Sequence, residues 1–394
     1  MKRLLRQLRS YWEQFLTILC HELRIIFTDA GVMLILLFAL LIYSTIYACA
    51  YAPEVVRRVP IGVIDQSHTA TSRRLIAQLD ASANLAIAYE PSDMEEAKRL
   101  FYARRIYGVV YIPADYEASL YAGEQATLAL YADASYMLIY RQIFEGVATT
   151  VSQTGGEISL LRALDAGLDT PPPAPIIYQN HTLFNPYLGY ATFLMPAVIL
   201  TVIQQTLLIG VGMIGGTWRE ERLYRALRPK TRRRISTLPL VVGRGVTYLL
   251  LYALTGGIAL AILYPLFGYP MKGALGAVVC MVGLYTVACI ALALALSTLF
   301  CRREESLLLL LWTSIPILLL SGVSFPKEGM PDWLYRVGLL LPSSHGIEGF
   351  VRIQTMGASL SEVFSEVKAL LLLTLLYGGL ACLSTHRIIR KEAS

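Results

Sequence analysis

Apolar residues along this chain are clumped. Six runs, 31–50, 188–214, 243–265, 274–300, 306–323 and 367–386, carry almost no charge near their centres. A bilayer core about 30 Å thick takes roughly 20 helical residues to cross. In hydrocarbon the backbone must satisfy its own hydrogen bonds, which favours helices. The pattern therefore predicts six transmembrane helices. Ahead of them, Trp12, Phe15, Leu16, Leu19, Leu23, Ile26 and Phe27 recur at intervals of three and four, while Glu13, Gln14, His21, Glu22 and Arg24 fall elsewhere. That period predicts an amphipathic helix, lying in the membrane interface or packed on a soluble partner.

Between the first two runs the period changes. "VPIGVID" (59–65), "LAIAYE" (85–90), "IYGVVYIP" (106–113) and "ATLALYAD" (126–133) read as strands. "SRRLIAQLD", "DMEEAKRLFYARR" and "ADYEASLYAG" between them read as helices. Ser92 or Asp93 is placed to cap the second of these, with Glu95 and Glu96 in its first turn. Strands alternating with helices imply an α/β domain. A long helix follows from about Tyr136 to Ala166, and the prolines of "GLDTPPPAP" end it. The predicted architecture is an α-helical membrane protein with an inserted α/β domain. In chain order it has an interfacial amphipathic helix in 1–30, a first span at 31–50 and the α/β domain at 51–187. Spans two to five follow within 188–323, then a segment at 324–366, and the sixth span with its tail at 367–394.

Composition supports a membrane class: 55% of the 394 residues are hydrophobic, 16% are charged, and mean hydropathy is +0.54. Charge then sets orientation. With six spans, the N-terminus, the 215–242 and 301–305 loops and the C-terminal tail share one side and hold eighteen Lys and Arg, against five in the short loops opposite. Loops rich in Lys and Arg stay inside, so both termini are expected in the cytoplasm of a bacterial inner-membrane protein. The densest basic run lies in "GMIGGTWREERLYRALRPKTRRRIS" (212–236), where eight of the sixteen residues from Arg219 to Arg234 are Lys or Arg. Their sign suits anionic headgroups, so the expected partner of the run is the lipid membrane, with no nucleic acid implied. The first apolar run is too long for the core of a cleaved signal peptide. The outside segment 51–187 carries ten basic and fifteen acidic residues and none of the six cysteines, so its own core must hold it.

Catalytic patterns are missing. There is no G-x-x-x-x-G-K-[ST] loop for ATP and no H-E-x-x-H or G-x-S-x-G. No Cys/His spacing suggests a metal site. Mid-span polar residues are the informative exception. Thr201, Gln204, Gln205 and Thr206 interrupt the second run, and a Gln in hydrocarbon is costly without a partner. Neighbours on a helix point about 100° apart, so one Gln is expected to bond another helix while the other meets a cavity. Such groups serve either as glue between helices or as part of a path. Gly212 and Gly216 form a G-x-x-x-G pattern suited to close helix contact. No charged residue sits mid-span, which argues against an ion-driven carrier.

The order of an interfacial helix, one span, a large outside domain and five further spans resembles the permease subunit of an ABC exporter of the type-2 class, nearly end to end. "LRIIFTDAGVMLILLFALLIYSTIY" resembles the family's first span with its preceding helix, and "VPIGVIDQSHTATSRRLIAQLDAS" the start of its outside domain. "STLFCRREESLLLLLWTSIPILLLSGVSFPKEGMPDWLYRVGLLLPSSHGIEGFVRI" resembles its fifth span, ending in S-G-x-x-F-P. The resemblance implies re-entrant helices in 324–366, marked by Phe325, Pro326 and Pro342. It implies a dimer with a second copy or a paralogue, driven by separate ATPase subunits that bind ATP with magnesium; this chain itself holds no cofactor. A periplasmic adaptor protein is a further partner. Within the 216–239 loop, Gly216, Thr217, Arg219, Glu220, Glu221 and Arg222 resemble the coupling element that docks on the ATPase, although the G-T-L-E found there in many members is missing. Thr201, Gln204 and Gln205 are candidates for the path or the helix interface.

The expected function is thus ATP-driven export of a lipophilic small molecule, drug or lipid, by a subunit that is not itself an enzyme. The alternative is a non-transporting anchored protein that binds a partner or ligand through 51–187. Topology is directly testable. In a cysteine-free background, single cysteines at Ser119 and Thr231 are expected to report opposite membrane sides to an impermeant thiol reagent in intact cells. Labelling of both would rule out the six-span arrangement.

Overall fold

The computed structural model describes residues 2–165, 183–185, 188–221, 223 and 236–391, with side chains from residue 11 onward. It divides into two compact units, Met1–Glu54 with Thr182–Ser394, and Val55–His181. The linker prolines at 171–175 and the basic run 224–235 lie outside the described residues.

The first unit is helical. α1 (Lys2–Thr28) is followed by α2 (Ala30–Ala50), which contains a π-helical turn at Leu34–Phe38. After the second unit come α7 (Tyr190–Glu220), α8 (Thr237–Leu266, with a π turn at Ala259–Leu263), α9 (Leu275–Ser297), α10 (Arg303–Trp312), α11 (Ser314–Leu320), α12 (Asp332–Gly338), α13 (Pro342–Met356) and α14 (Phe364–Lys391). Five of these, α2, α7, α8, α9 and α14, are long and apolar enough to cross a membrane. The sixth expected run, 306–323, is instead split into α10 and α11 at Thr313. Pro316 explains the break. It has no amide hydrogen for the Trp312 carbonyl, and its ring disfavours a continuous helix there.

α7 is the helix around which the others pack. In its most apolar stretch 78% of residues are buried within the unit, against 17% in α14. α9 and α10 pack extensively on α7, and α2 and α13 also contact it. α11 packs instead on α12. Close approach at the end of α7 depends on missing side chains. A Cβ on Gly216 would lie 2.5 Å from the Arg302 carbonyl oxygen, and one on Gly212 would lie 2.9 Å from the Ser306 Cβ. The G-x-x-x-G pattern is therefore a seat for the 302–306 segment. Residues 216–220 are helical and form the last turns of α7 rather than part of a loop.

The second unit is a four-stranded sheet with helices. β1 (Val59–Asp65), α3 (Ala70–Asp80), β2 (Leu85–Tyr89), α4 (Met94–Tyr102), β3 (Gly108–Ile112), α5 (Tyr116–Tyr121), β4 (Ala129–Ala132) and α6 (Met137–Asp165) follow in order. The strand order is β2-β1-β3-β4, parallel except for the antiparallel β3–β4 pair. Alternate residues face opposite sides of a strand, and both faces of this sheet are covered. Val59, Ile61, Val63, Val110 and Ile112 join Leu75, Leu79, Ile143 and Val147 in one core, while Ile64 and Val109 join Ala97 and Ile106 in another. Asp93 caps α4 through Glu96 N at 2.7 Å, and Glu95 and Glu96 complement its first turn.

The two chain-distant arms of the first unit are tied by Asp29. Its carboxylate caps α2 through Gly31 N (3.0 Å) and Val32 N (3.1 Å), and it also accepts both Nη groups of Arg303 at 2.5 and 2.8 Å. Burial alone raises this carboxyl; the Arg303 hydrogen bonds, the Val32 and Gly31 amides and the Arg303 charge outweigh it and hold it below the usual carboxylate range. The native pKa lies under the unfolded value, so the pair stabilises the fold above the unfolded pKa and its contribution is lost as pH falls through the native one. Purified parent chain is therefore expected to lose thermal stability below about pH 4 more steeply than Asp29→Asn. Identical acid profiles for the two would show that the pair contributes nothing.

Candidate functional site

The polar residues of α7 fall into two places, and the structure treats adjacent glutamines differently. Gln204 faces α9 and α13. Its Oε1 accepts the Ser343 amide at 2.9 Å and lies 3.6 Å from Cys289 Sγ, and its Nε2 lies 3.4 Å from Ser343 Oγ. Pro342 opens α13, so Ser343 carries one of the unpaired amides at a helix start. A side chain from mid-α7 supplies the missing acceptor. The neighbouring Tyr285 hydroxyl donates to the Leu200 carbonyl at 2.7 Å, and Tyr252 donates to Thr206 at 2.6 Å. Gly346 lets α13 rest on Tyr285, since a Cβ there would lie 2.1 Å from the ring.

Gln205 is the other case. It is 9% exposed, and neither its amide nitrogen nor its oxygen has a hydrogen-bond partner among the described residues. The same holds for Thr201 Oγ1, one turn away on the same face. Gly212, seven residues on from Gln205 and so on the same face, meets Ser306 and Leu310 of α10. Gln204 is thus the member of the pair that bonds another helix.

Phe325 and Pro326 precede a short 3-10 turn (Lys327–Gly329), and Phe325 packs over Gly329. Lys327 donates to the Ser344 carbonyl at 2.6 Å and to Glu348, pinning this segment to α13. Arg352 of α13 donates to Glu366 at 2.9 Å, and the Lys272 amide donates to the Gln354 carbonyl at 2.9 Å.

At the opposite end of α7 a dense charged cluster collects residues from four helices. Gly216, Thr217, Arg219 and Glu220 occupy the last turns of α7, and Glu221 is its C-cap. Arg222 lies outside the described residues. Arg219 Nη1 lies 3.9 Å from Cys301 Sγ. The Ser236 amide donates to Gln14 of α1 at 3.2 Å, and Thr237 lies 3.2 Å from His386 of α14, so this end gathers the first and last helices of the chain.

Two residues here were not expected inside the fold. Glu22 and Arg244 are 0% and 4% exposed, and Arg244 Nε donates to Glu22 Oε1 at 2.8 Å. Tyr248 donates to the same oxygen. Arg244 also stacks over Trp218 at 4.9 Å from the ring centroid. α1 holds Glu22 inside the fold, off the polar side on which the sequence pattern puts it. Its packed face is Ile18, Glu22 and Ile26, whereas Trp12, Leu16 and Phe27 of the predicted apolar stripe are exposed. A usable signal existed, because Glu22 stands four residues from both Ile18 and Ile26, within a helical row.

The fold defines a polytopic membrane protein whose central helix carries polar groups both within its apolar stretch and at its end. Comparison with known proteins makes the class specific. The family model for ABC-2 family transporter proteins matches residues 30–383, and the chain belongs to that family. It is 22% identical over 371 residues to the probable multidrug ABC transporter permease YbhR of Escherichia coli strain K12, covering 93% of this chain and 96% of that protein. It is 21% identical over 351 residues to the inner membrane transport permease YhhJ of the same strain, covering 89% and 91%. The chain is thus an ABC transporter permease.

The glutamine pair makes a stability prediction. Gln204→Leu strands the buried Ser343 amide and is expected to cost about 1–3 kcal/mol. Gln205→Leu removes a buried group without a partner and is expected to be neutral or stabilising. Thermal unfolding of the purified variants in detergent gives the order, and a larger loss for Gln205→Leu would overturn the assignment.

Proposed function

We propose that this chain is the membrane-spanning subunit of an ATP-driven exporter that moves a lipophilic small molecule, drug or lipid out of the cytoplasm or inner membrane. Separate ATPase subunits bind ATP with magnesium, and a second permease copy or a paralogue completes the path. The observation that carries this reading is the continuity of α7. One unbroken 31-residue helix holds the unpartnered Thr201 and Gln205 within the apolar layer and Glu220 at its end. From Gln205 to Glu220 the helix rises about 22 Å. A push on its end moves the polar face as a rigid body.

In this reading α10 and α11 together make the sixth crossing, broken at Pro316, and both termini are cytoplasmic. Thr201 and Gln205, buried and without hydrogen-bond partners among the described residues, are the groups that line the path in this reading. Glu220 and Glu221 meet the ATPase. The Val55–His181 unit works outside the cytoplasm and docks an adaptor or the second permease copy. YbhR is described as a probable multidrug permease, which fits a cargo with apolar character.

Replacing Glu220 and Glu221 together by Ala is the test. Each charge-assisted contact buried at an ATPase interface is worth roughly 1.5–3 kcal/mol. The double variant is expected to insert and to co-purify with the second permease copy, while the assembled complex hydrolyses ATP more slowly. Parent-like hydrolysis by an assembled double variant would leave this end without a coupling role.

A further inference from the structure

The Glu22–Arg244 pair calls for a reason to exist. Its two charges are almost wholly buried, in a unit whose other helix contacts are mainly apolar. Burial of an ion pair is a poor route to stability, since apolar side chains of similar volume often serve as well or better. Arg244 lies in α8, one of the helices able to cross a membrane, where an ionisable group marks function by default. The geometry shows what this pair holds. The guanidinium edge of Arg244 bonds Glu22 and lies 3.5 Å from the Tyr248 hydroxyl, and its flat face covers the ring of Trp218. An arginine fork with a stacking face suits this double role, and lysine does not. Trp218 is fully buried and immediately precedes Arg219 and Glu220. His21, next to Glu22, meets the same indole edge-on at 5.7 Å.

We propose that the Glu22–Arg244 pair is the joint that positions the end of α7. It clamps Trp218 between α1 and α8, so that the amphipathic helix and the second and third spans move as one body. The other Glu22 oxygen, Oε2, is buried with no hydrogen-bond partner among the described residues. Glu22 and Arg244 are positioning residues in this scheme, acting through Trp218. The functional half of the inference rests on the reading of this end as the ATPase contact; the structural half does not.

The experiment separates the two halves. In the full chain, with Trp12, Trp312 and Trp333 replaced by Phe, the remaining indole is Trp218. Its acrylamide quenching is measured in lipid nanodiscs, alongside thermal unfolding and ATP hydrolysis by the complex with the ATPase subunits. The apolar pair Glu22→Met with Arg244→Met is compared with the parent and with Arg244→Lys. The apolar pair is expected to unfold near the parent temperature. Its Trp218 is expected to become more quenchable, and hydrolysis to fall by about threefold or more. Arg244→Lys keeps the charge but loses the stacked plane, and is expected to show the same Trp218 change. Parent-like quenching and hydrolysis in the apolar pair would overturn the proposal, as would a moved Trp218 with unchanged hydrolysis. If the parent complex itself fails to hydrolyse ATP, the ATPase reading fails, and the quenching result still decides whether the pair positions Trp218.

Discussion

A helix whose first turn is buried has amides that water cannot reach. Much of the first unit is arranged around this constraint. α13 begins with Pro342, which removes one such amide, and the Ser343 amide is met by Gln204 from the middle of α7. Placing α13 there requires α9 to offer Tyr285 as a floor, and Gly346 to let the backbone come down on it. The Tyr285 hydroxyl in turn bonds the Leu200 carbonyl. α7, α9 and α13 are therefore locked at one level by two short polar contacts and one close approach to a ring.

The lower end of α7 is governed by a different balance, between closeness and charge. Gly212 and Gly216 bring the backbone of 302–306 against α7, and Arg303 then reaches Asp29 at the start of α2. Deeper in the same end, Arg244 meets Glu22 and Trp218. Glu22 and Arg244 are tolerated in the interior because they are paired and further hydrogen-bonded; either alone would be an uncompensated buried charge. Sections of chain far apart in sequence are held in register by directional bonds, where apolar contacts alone would let helices slide or rotate.

The second unit solves a simpler problem without cysteines. A mostly parallel sheet must be covered on both faces, and its helices supply two cores, one on α3 and α6 and the other on α4. Gly146 lets α6 close on β2, since a Cβ there would lie 2.8 Å from Leu85.

Periodicity and hydropathy determined a good deal of this protein by themselves. Run lengths placed five long apolar helices, alternation placed four strands, and Asp93 announced a helix start, because each signal is local. The close contact at the G-x-x-x-G pair and a bond from one of the two glutamines to another helix were also legible, from helical geometry alone. Tertiary structure decided what local patterns could not. Pro316 was visible, but only the packing of α11 on α12 shows that the chain departs from α7 there. The polar side of α1 reads as exposed, yet Glu22 turns inward because an arginine 222 positions away meets it. A pattern of polar and apolar residues records the average preference of each side chain, and the burial of a charge depends on a partner that the pattern cannot name.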